Sequence, residues 1–238
     1  MEQVNPKVSI VLTVYNINHQ YLLECLKSIY AQTYENYEIL VIDDCSSEDY
    51  SYLKQRRNIR YIRNSSNLGL CKSVNKAFRL CKGDYIVRLG SDDIYNKNLL
   101  AKEVNFLDSN PDYGAVCCEF QRFGFSIQII RRPKEWNLED VKSGKIHGYG
   151  YAGGMMFRRE LLNQCCINED FKVCEDFDFH LQLLEHTKIK SLNEILYYYR
   201  SHETNIMKKF NHDSRVEILR RILNNHGIII YAWEKSSK

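Results

Sequence analysis

Val8-Ser9-Ile10-Val11-Leu12-Thr13-Val14-Tyr15-Asn16 is the stretch that decides the fold. Its first seven residues are mostly β-branched or aliphatic, the pattern of a strand covered on both faces in a parallel sheet. At Asn16 the chain turns polar. Leu22, Cys25, Leu26 and Ile29 then recur at helical spacing behind Asn18, whose side chain suits a helix N-cap. Residues 38–42 form a second apolar run that leads directly into Asp43 and Asp44, and residues 59–62 a short third one. Leu70, Val74, Ala77, Phe78 and Cys81 mark another helix, with Gly83 at the position a helix C-cap prefers. Tyr85-Ile86-Val87 is a fourth strand, ending at Gly90-Ser91-Asp92-Asp93.

Such alternation of strand and helix predicts an α/β fold with a mostly parallel sheet flanked by helices. Ligands of these folds gather outside the carboxyl ends of the strands, where strand order switches. Tyr15 and Asn16, Asp43 and Asp44, and Asp92 and Asp93 follow three of the strands, so they are expected to line one crevice. The second half is less regular. Strands are expected at 115–120, 125–130, 153–157 and 195–199, and helices at 138–142, 173–184 and 213–223. There is no internal repeat and no low-complexity segment.

Composition narrows the classes. The 238 residues are 44% hydrophobic and 26% charged, ordinary for a globular protein. Three prolines and eleven glycines leave no long flexible linker. A net charge of +3, with acids interleaved throughout, argues against nucleic acid as a partner. Nine cysteines are an odd number without repeated metal-type pairs, which fits small buried hydrophobes in a reducing cytosol. Residues 1–7 have no apolar core of a signal peptide, and the longest apolar run, 228–233, is too short to span a bilayer. A cytoplasmic location is expected, with the inner membrane face as the alternative.

The residues carry a resemblance. The stretch from Val8 to Asn16, Leu26-Lys27-Ser28-Ile29 with Gln32-Thr33-Tyr34, and Val41-Ile42-Asp43-Asp44 with Cys45 to Asp49 are similar to family 2 glycosyltransferases of the GT-A fold. Asn67-Leu68-Gly69 with Asn75, Gly83-Asp84-Tyr85-Ile86, Ser91-Asp92-Asp93, Glu175-Asp176 and Tyr199-Arg200-Ser201-His202 continue it. The match is nearly continuous to about residue 116 and reduces to islands afterwards. Its order and spacing carry more weight than any single motif.

The resemblance implies an inverting, metal-assisted transfer from a nucleotide diphosphate sugar, UDP-linked by preference, to a glycan or lipid-linked acceptor. That chemistry belongs to surface polysaccharide or glycan assembly. Residues 1–120 would be the nucleotide-sugar half, 121–210 the smaller acceptor-side half of the same domain, and 211–238 a helical tail. Thr13, Tyr15 and Asp44 would hold the nucleoside, with Asn16 beside them; an aromatic ring can stack on a base. Asp43 and Asp44 could instead cap a helix beginning near Ser46 or Ser47.

By the same resemblance Asp93 would ligate Mn²⁺ or Mg²⁺ directly, Asp92 would reach towards ribose or sugar, and His202 would add a ligand. A hard cation held by carboxylates neutralises a departing diphosphate. The family's acidic motif often reads Asp-x-Asp-Asp, and Gly90 occupies its first position here. An acidic turn after a strand is the bland alternative for Asp92 and Asp93. Asp176 would be the general base that removes the acceptor proton, and Glu175 would orient the site. A helix-start acid favoured by the dipole is compatible with that role. Lys72 and Arg200 could offset phosphate charge; Gly153 and Gly154 would let the acceptor approach closely.

For the helix carrying Arg215, Arg220 and Arg221, packing onto its own domain is one reading, and peripheral contact with an anionic membrane is the other. Two rival functions also remain open. A nucleotidyltransferase would carry a Gly-rich phosphate loop after the first strand, where Thr13 to Asn18 has none. The other rival is a nucleotide-sugar-binding module without activity.

Overall fold

A computed structural model of the chain describes residues 6–143, 153–205 and 210–228. The Val8–Val14 run is strand β1, and Val8, Ile10, Val11 and Leu12 are wholly buried. It lies parallel to β2 (Tyr37–Asp43) on one side and β4 (Tyr85–Gly90) on the other. β3 (Ile59–Arg63) extends the parallel set beyond β2. Helix α1 (His19–Tyr30) starts where expected: Asn18 Oδ1 accepts from the Gln20 and Tyr21 amides.

Helix α2 (Leu70–Leu80) departs from expectation at its end. Cys81, not a glycine, closes it by donating its N–H to the Ala77 and Phe78 carbonyls. Gly83 serves a different need, since a Cβ there would lie 2.6 Å from the Ser9 amide nitrogen. The glycine lets the chain pass close against β1 as it enters β4. The helix considered near Ser46 is likewise absent; a 3₁₀ turn spans Ser51–Gln55 instead.

In the second half the elements run longer or shorter than the periodicity implied. β5 (Ile94–Tyr95) and α3 (Leu99–Ser109) are followed by β6 (Tyr113–Gly124), which continues past residue 120. The strand expected at 125–130 is reduced to β7 (Gln128–Ile130), because Phe125 begins a turn back onto β6. β8 (Glu135–Trp136), α4 (Leu138–Lys142) and β9 (Met155–Arg158) precede α5 (Glu175–His186). β10 (Lys188–Ser201) follows, then α6 (His212–Asn225).

The sheet order is β3-β2-β1-β4-β9-β6-β10-β5, with β7 on β6 and β8 on β10. β9 runs antiparallel between β4 and β6, whereas β6 and β10 are parallel. Between Leu192 and Tyr197 β10 advances five residues while its partner β6 advances two, from Cys118 to Phe120. Three surplus residues are thus taken up in bulges.

Helices cover both faces. α2, α5 and α6 pack on one through Val74, Phe78, Phe177, Phe179, Ile222 and Leu223. α1 and α3 pack on the other through Leu22, Leu26, Ile29, Leu99 and Leu107. The apolar face of α6 is spent on this core, with Leu219, Ile222 and Leu223 buried. His226, just beyond it, bridges Asp178 and Glu185 of α5 at 3.1 and 2.7 Å. Among the described residues no helix is long and apolar enough to cross a membrane. Residues 229–233 of the apolar run lie outside the described residues.

Candidate active site

The carboxyl ends of β1, β2 and β4 sit level: Thr13 pairs with Ile42 and Gly90, and Val14 with Asp43. This is the switch in strand order, with β1 flanked on both sides. Tyr15, just past it, is 52% exposed, so its ring is open to a flat ligand. Asn16 adopts φ 49° and ties two loops together. Its amide donates to Ser46 Oγ, and its Oδ1 accepts from the Ser47 amide at 2.7 Å. Left-handed backbone is tolerated best by Asn among residues other than glycine.

The neighbouring acids divide their work. Asp43 is wholly buried and accepts from Tyr61 Oη, Arg63 Nη1 and the Ser46 amide. Burial pushes its carboxyl up, but these hydrogen bonds outweigh that and hold it below its ordinary value. Asp44 reaches the start of α2, accepting from the Leu68 and Gly69 amides and Asn64 Nδ2, each at 2.8 Å. It shapes the loop after β3 and neutralises the helix end. Three donors occupy three of the roughly four lone-pair positions of a carboxylate.

Asp92 and Asp93 are separated by orientation. Asp93 is 1% exposed; its carboxylate accepts from Tyr197 Oη and, at 2.7 Å, from the Arg200 amide. Asp92 turns the other way, to His202 Nε2 at 2.8 Å. His202 Nδ1 contacts Thr204 Oγ1 at 2.9 Å, and its amide donates to Asn205 Oδ1. Gly90 is required by this turn, since a Cβ there would fall 2.3 Å from Asp93 Oδ2 and 3.0 Å from Asp92 Oδ1.

Arg200 is fixed rather than presented. Its Nε donates to the Asp92 carbonyl and Nη2 to Glu24 Oε2, and its guanidinium lies over Tyr21 and Phe123, 4.3 and 4.6 Å from the ring centres. Lys72, in the first turn of α2, is exposed.

Helix α5 begins from Cys174 at φ 60° and puts its acids at the helix start. Glu175 pairs with Arg88 of β4 at 3.0 Å, which anchors that start to the sheet. Asp176 is half-buried, its Oδ1 accepting from the Phe177 amide. Gly153 is buried and Gly154 has φ 70°; a Cβ on Gly154 would meet Cys118 Sγ at 2.9 Å and Tyr197 Cβ at 3.1 Å. Gly154 is thus held by packing against β6 and β10. Tyr199 connects the groups: burial first, then the charges of Asp93, Asp92 and Asp176, raise its hydroxyl.

Residues 9–166 match Glycosyl transferase family 2. The chain belongs to that family. A glycosyltransferase of Haemophilus influenzae is 27% identical over 87% of this chain and 69% of its own length. GlyG of Streptococcus pneumoniae is 24% identical over 84% of this chain and 73% of its own length. The fold is GT-A. S. aureus TarS residues 1–349, solved with UDP-GlcNAc, superposes with TM-score 0.76 at 22% identity, over 92% of this chain and 66% of that one. The mannosyltransferase PcManGT of Pyrobaculum calidifontis, solved with GDP-Man and Mn²⁺, gives 0.70 at 18% identity, over 94% and 64%. The chain spans about a fifth of the rhizobial relative y4gI, at 22% of its length.

A divalent cation is implied by the family, and the donor set can be tested for it. Asp92 offers a hard oxygen and His202 an imidazole nitrogen, a pair that suits Mn²⁺ and tolerates Mg²⁺. Thr204 fixes the opposite ring nitrogen, the usual support of a ligating histidine. Among the described residues no group of three or more such side chains gathers. A cation held by Asp92 and His202 would take its remaining ligands from phosphate and water. The sequence had pointed to Asp92, Asp93 and His202, and to Tyr199 within the Tyr199-Arg200-Ser201-His202 motif, but not to Tyr197, Glu24 or Arg88. The repeated Tyr197-Tyr198-Tyr199 before Arg200 was the visible signal for Tyr197.

Proposed function

We propose that the protein is an inverting glycosyltransferase that moves a sugar from a nucleotide diphosphate to an acceptor hydroxyl. The contact between Asp92 and His202 carries this reading, because it joins residues 110 apart into a hard-donor pair beside the strand switch. A cation there would neutralise charge on the leaving diphosphate. Asp92 and His202 would hold it, and Asp93, the direct ligand that the resemblance implies, would join them by releasing Tyr197 or the Arg200 amide. Tyr15 would stack on the base, with Thr13, Asn16 and Asp44 beneath the nucleoside, and Lys72 would face the phosphates from α2.

In the transfer, the acceptor oxygen bonds to the anomeric carbon as the bond from that carbon to the diphosphate oxygen breaks on the opposite face. Asp176 takes the proton from the attacking hydroxyl. It lies half-buried in the first turn of α5, on a rigid helix start. Glu175, through Arg88, would fix that turn, while Gly153 and Gly154, expected to admit the acceptor, are taken up by packing. UDP is the first donor to examine, since TarS was solved with UDP-GlcNAc, and GDP the second, since PcManGT was solved with GDP-Man. Lipid-linked or free glycan acceptors at the cytoplasmic face are the setting that fits.

Thermal shift against a panel of nucleotide sugars, with Mn²⁺ and with chelator, tests the donor, because a ligand of the folded state raises the melting temperature. Asp176→Asn should retain the shift while transfer falls by at least about a hundredfold, the lower range for a lost general base. Full turnover in that variant removes the base; no shift with any nucleotide diphosphate sugar removes the reading as a whole.

A further inference from the structure

Among the described residues the two most exposed large apolar side chains are Ile127 and Phe125, at 78% and 67%. Ile129, at 45%, completes a row at every second residue. Single exposed hydrophobics are ordinary on a protein surface, but three within five residues at the tip of one hairpin are not. The hairpin is made by β6 and the three-residue β7, which pairs only with β6 among the described residues.

The hairpin itself is cationic, with Glu119 paired to Arg131 behind it and Glu48 and Glu203 lining the cleft that Phe125 borders. Residues 120–134 contain Arg122, Arg131, Arg132 and Lys134 and no acid. Arg122 and Arg131 are exposed on the two arms just behind the tip. Arg131 leans on buried Glu119 of β6, and Arg122 lies near the Tyr199 ring. An apolar tip backed by cations matches an anionic lipid surface, where side chains enter the headgroup boundary and arginines meet phosphate. The apolar face of α6, the other surface considered for membrane contact, is covered by the core.

We propose that the Phe125–Ile129 hairpin tip docks the protein on an anionic lipid surface. Phe125 also borders a cleft of about 670 Å³ whose walls include Tyr21, Asn16 and His202. A polar group carried at the bilayer surface would then be presented beside the Asp92–His202 pair. That last link rests on the proposed transferase reading, whereas the docking rests on the hairpin alone.

The test is co-sedimentation of the full chain with vesicles of phosphatidylglycerol and phosphatidylcholine, against phosphatidylcholine alone. The wild type should pellet with the anionic vesicles and be released by salt. Ile127→Ser/Ile129→Ser should lower partition by at least about tenfold, and Arg122→Gln by about fivefold. Ile127→Trp should raise it, since Trp favours the interface. All of these exposed positions should keep the wild-type melting temperature. A wild type that stays in solution with anionic vesicles, or a double serine variant that binds as well as wild type, overturns the proposal. So does light scattering that finds a wild-type dimer dissolved by the double serine change, which would give the hairpin to a second copy. Nucleotide-sugar thermal shift reads the transferase separately, so the two proposals fail independently.

Discussion

Gly90→Ala should cost far more than a methyl group usually does. The added Cβ would be placed 2.3 Å from Asp93 Oδ2 and 3.0 Å from Asp93 Cγ, and the atoms it meets belong to a short, pinned side chain. Asp93 must then leave the position in which it accepts from Tyr197 Oη and the Arg200 amide. Hydrogen bonds to a charged group contribute about 1.5–3 kcal/mol each, so losing both costs about 3–6 kcal/mol. For a chain of 238 residues, a change of 1 kcal/mol moves the melting temperature by about 2–4 °C.

The variant should therefore melt at least about 6 °C below wild type. Because the Arg200 amide helps set where His202 lies, Mn²⁺-dependent UDP affinity should drop by about tenfold or more, equivalent to about 1.4 kcal/mol. Calorimetric unfolding and titration calorimetry measure the two. Tyr197→Phe should repeat part of the loss, and the double variant should fall short of the sum of the two single losses, since both remove the Tyr197–Asp93 bond. An alanine variant that melts within a degree of wild type and binds UDP equally well refutes the account of the turn.

Two further outcomes concern pH. Asp43 is held below its ordinary 3.8, so its contribution is present above that value and is lost as pH falls through the lower folded value. Urea unfolding should show Asp43→Asn less stable than wild type at neutral pH, with the gap closing in acid; a constant gap refutes it. For His226, burial lowers the imidazole pKa, but hydrogen bonds to Asp178 and Glu185 outweigh it and raise it above 6.5. Its contribution is full below 6.5 and fades as pH rises through the raised value. Amide exchange in α6 should therefore separate His226→Gln from wild type most in mildly acidic buffer, and equal protection there would contradict the bridge.

The parts of this fold that were legible in sequence are those where one residue's local preference agrees with its surroundings. The Val8 to Val14 run is a buried strand because its neighbours on both sides are strands, and Asn18 caps because its side chain reaches two amides unaided. Gly83 misled because a glycine after a helix is equally suited to a cap and to a close passage, and only the proximity of Ser9 separates them.

The paired acids show the same limit. Asp43 and Asp44, and Asp92 and Asp93, were found by position, but which member turns inward depends on Tyr61, Arg63, Tyr197 and His202, between 18 and 110 residues away. Arg200 read as a free cation because nothing near it in sequence foretells Glu24, Tyr21 and Phe123. The Asp92–His202 contact was approached only through the resemblance, since neither residue type alone implies the other.

The three surplus residues between Leu192 and Tyr197 act as a phase adjuster. Strand side chains alternate faces, so the count of residues in this segment fixes whether Tyr197 or Tyr198 meets Asp93. Deleting a single residue there would leave composition and hydrophobicity almost untouched, yet would send the hydroxyl to the opposite side of the sheet. The number of residues between Leu192 and Tyr197 is therefore held more tightly than the identity of the exposed Asn193 and Glu194, while Leu196 is tied to the core as well.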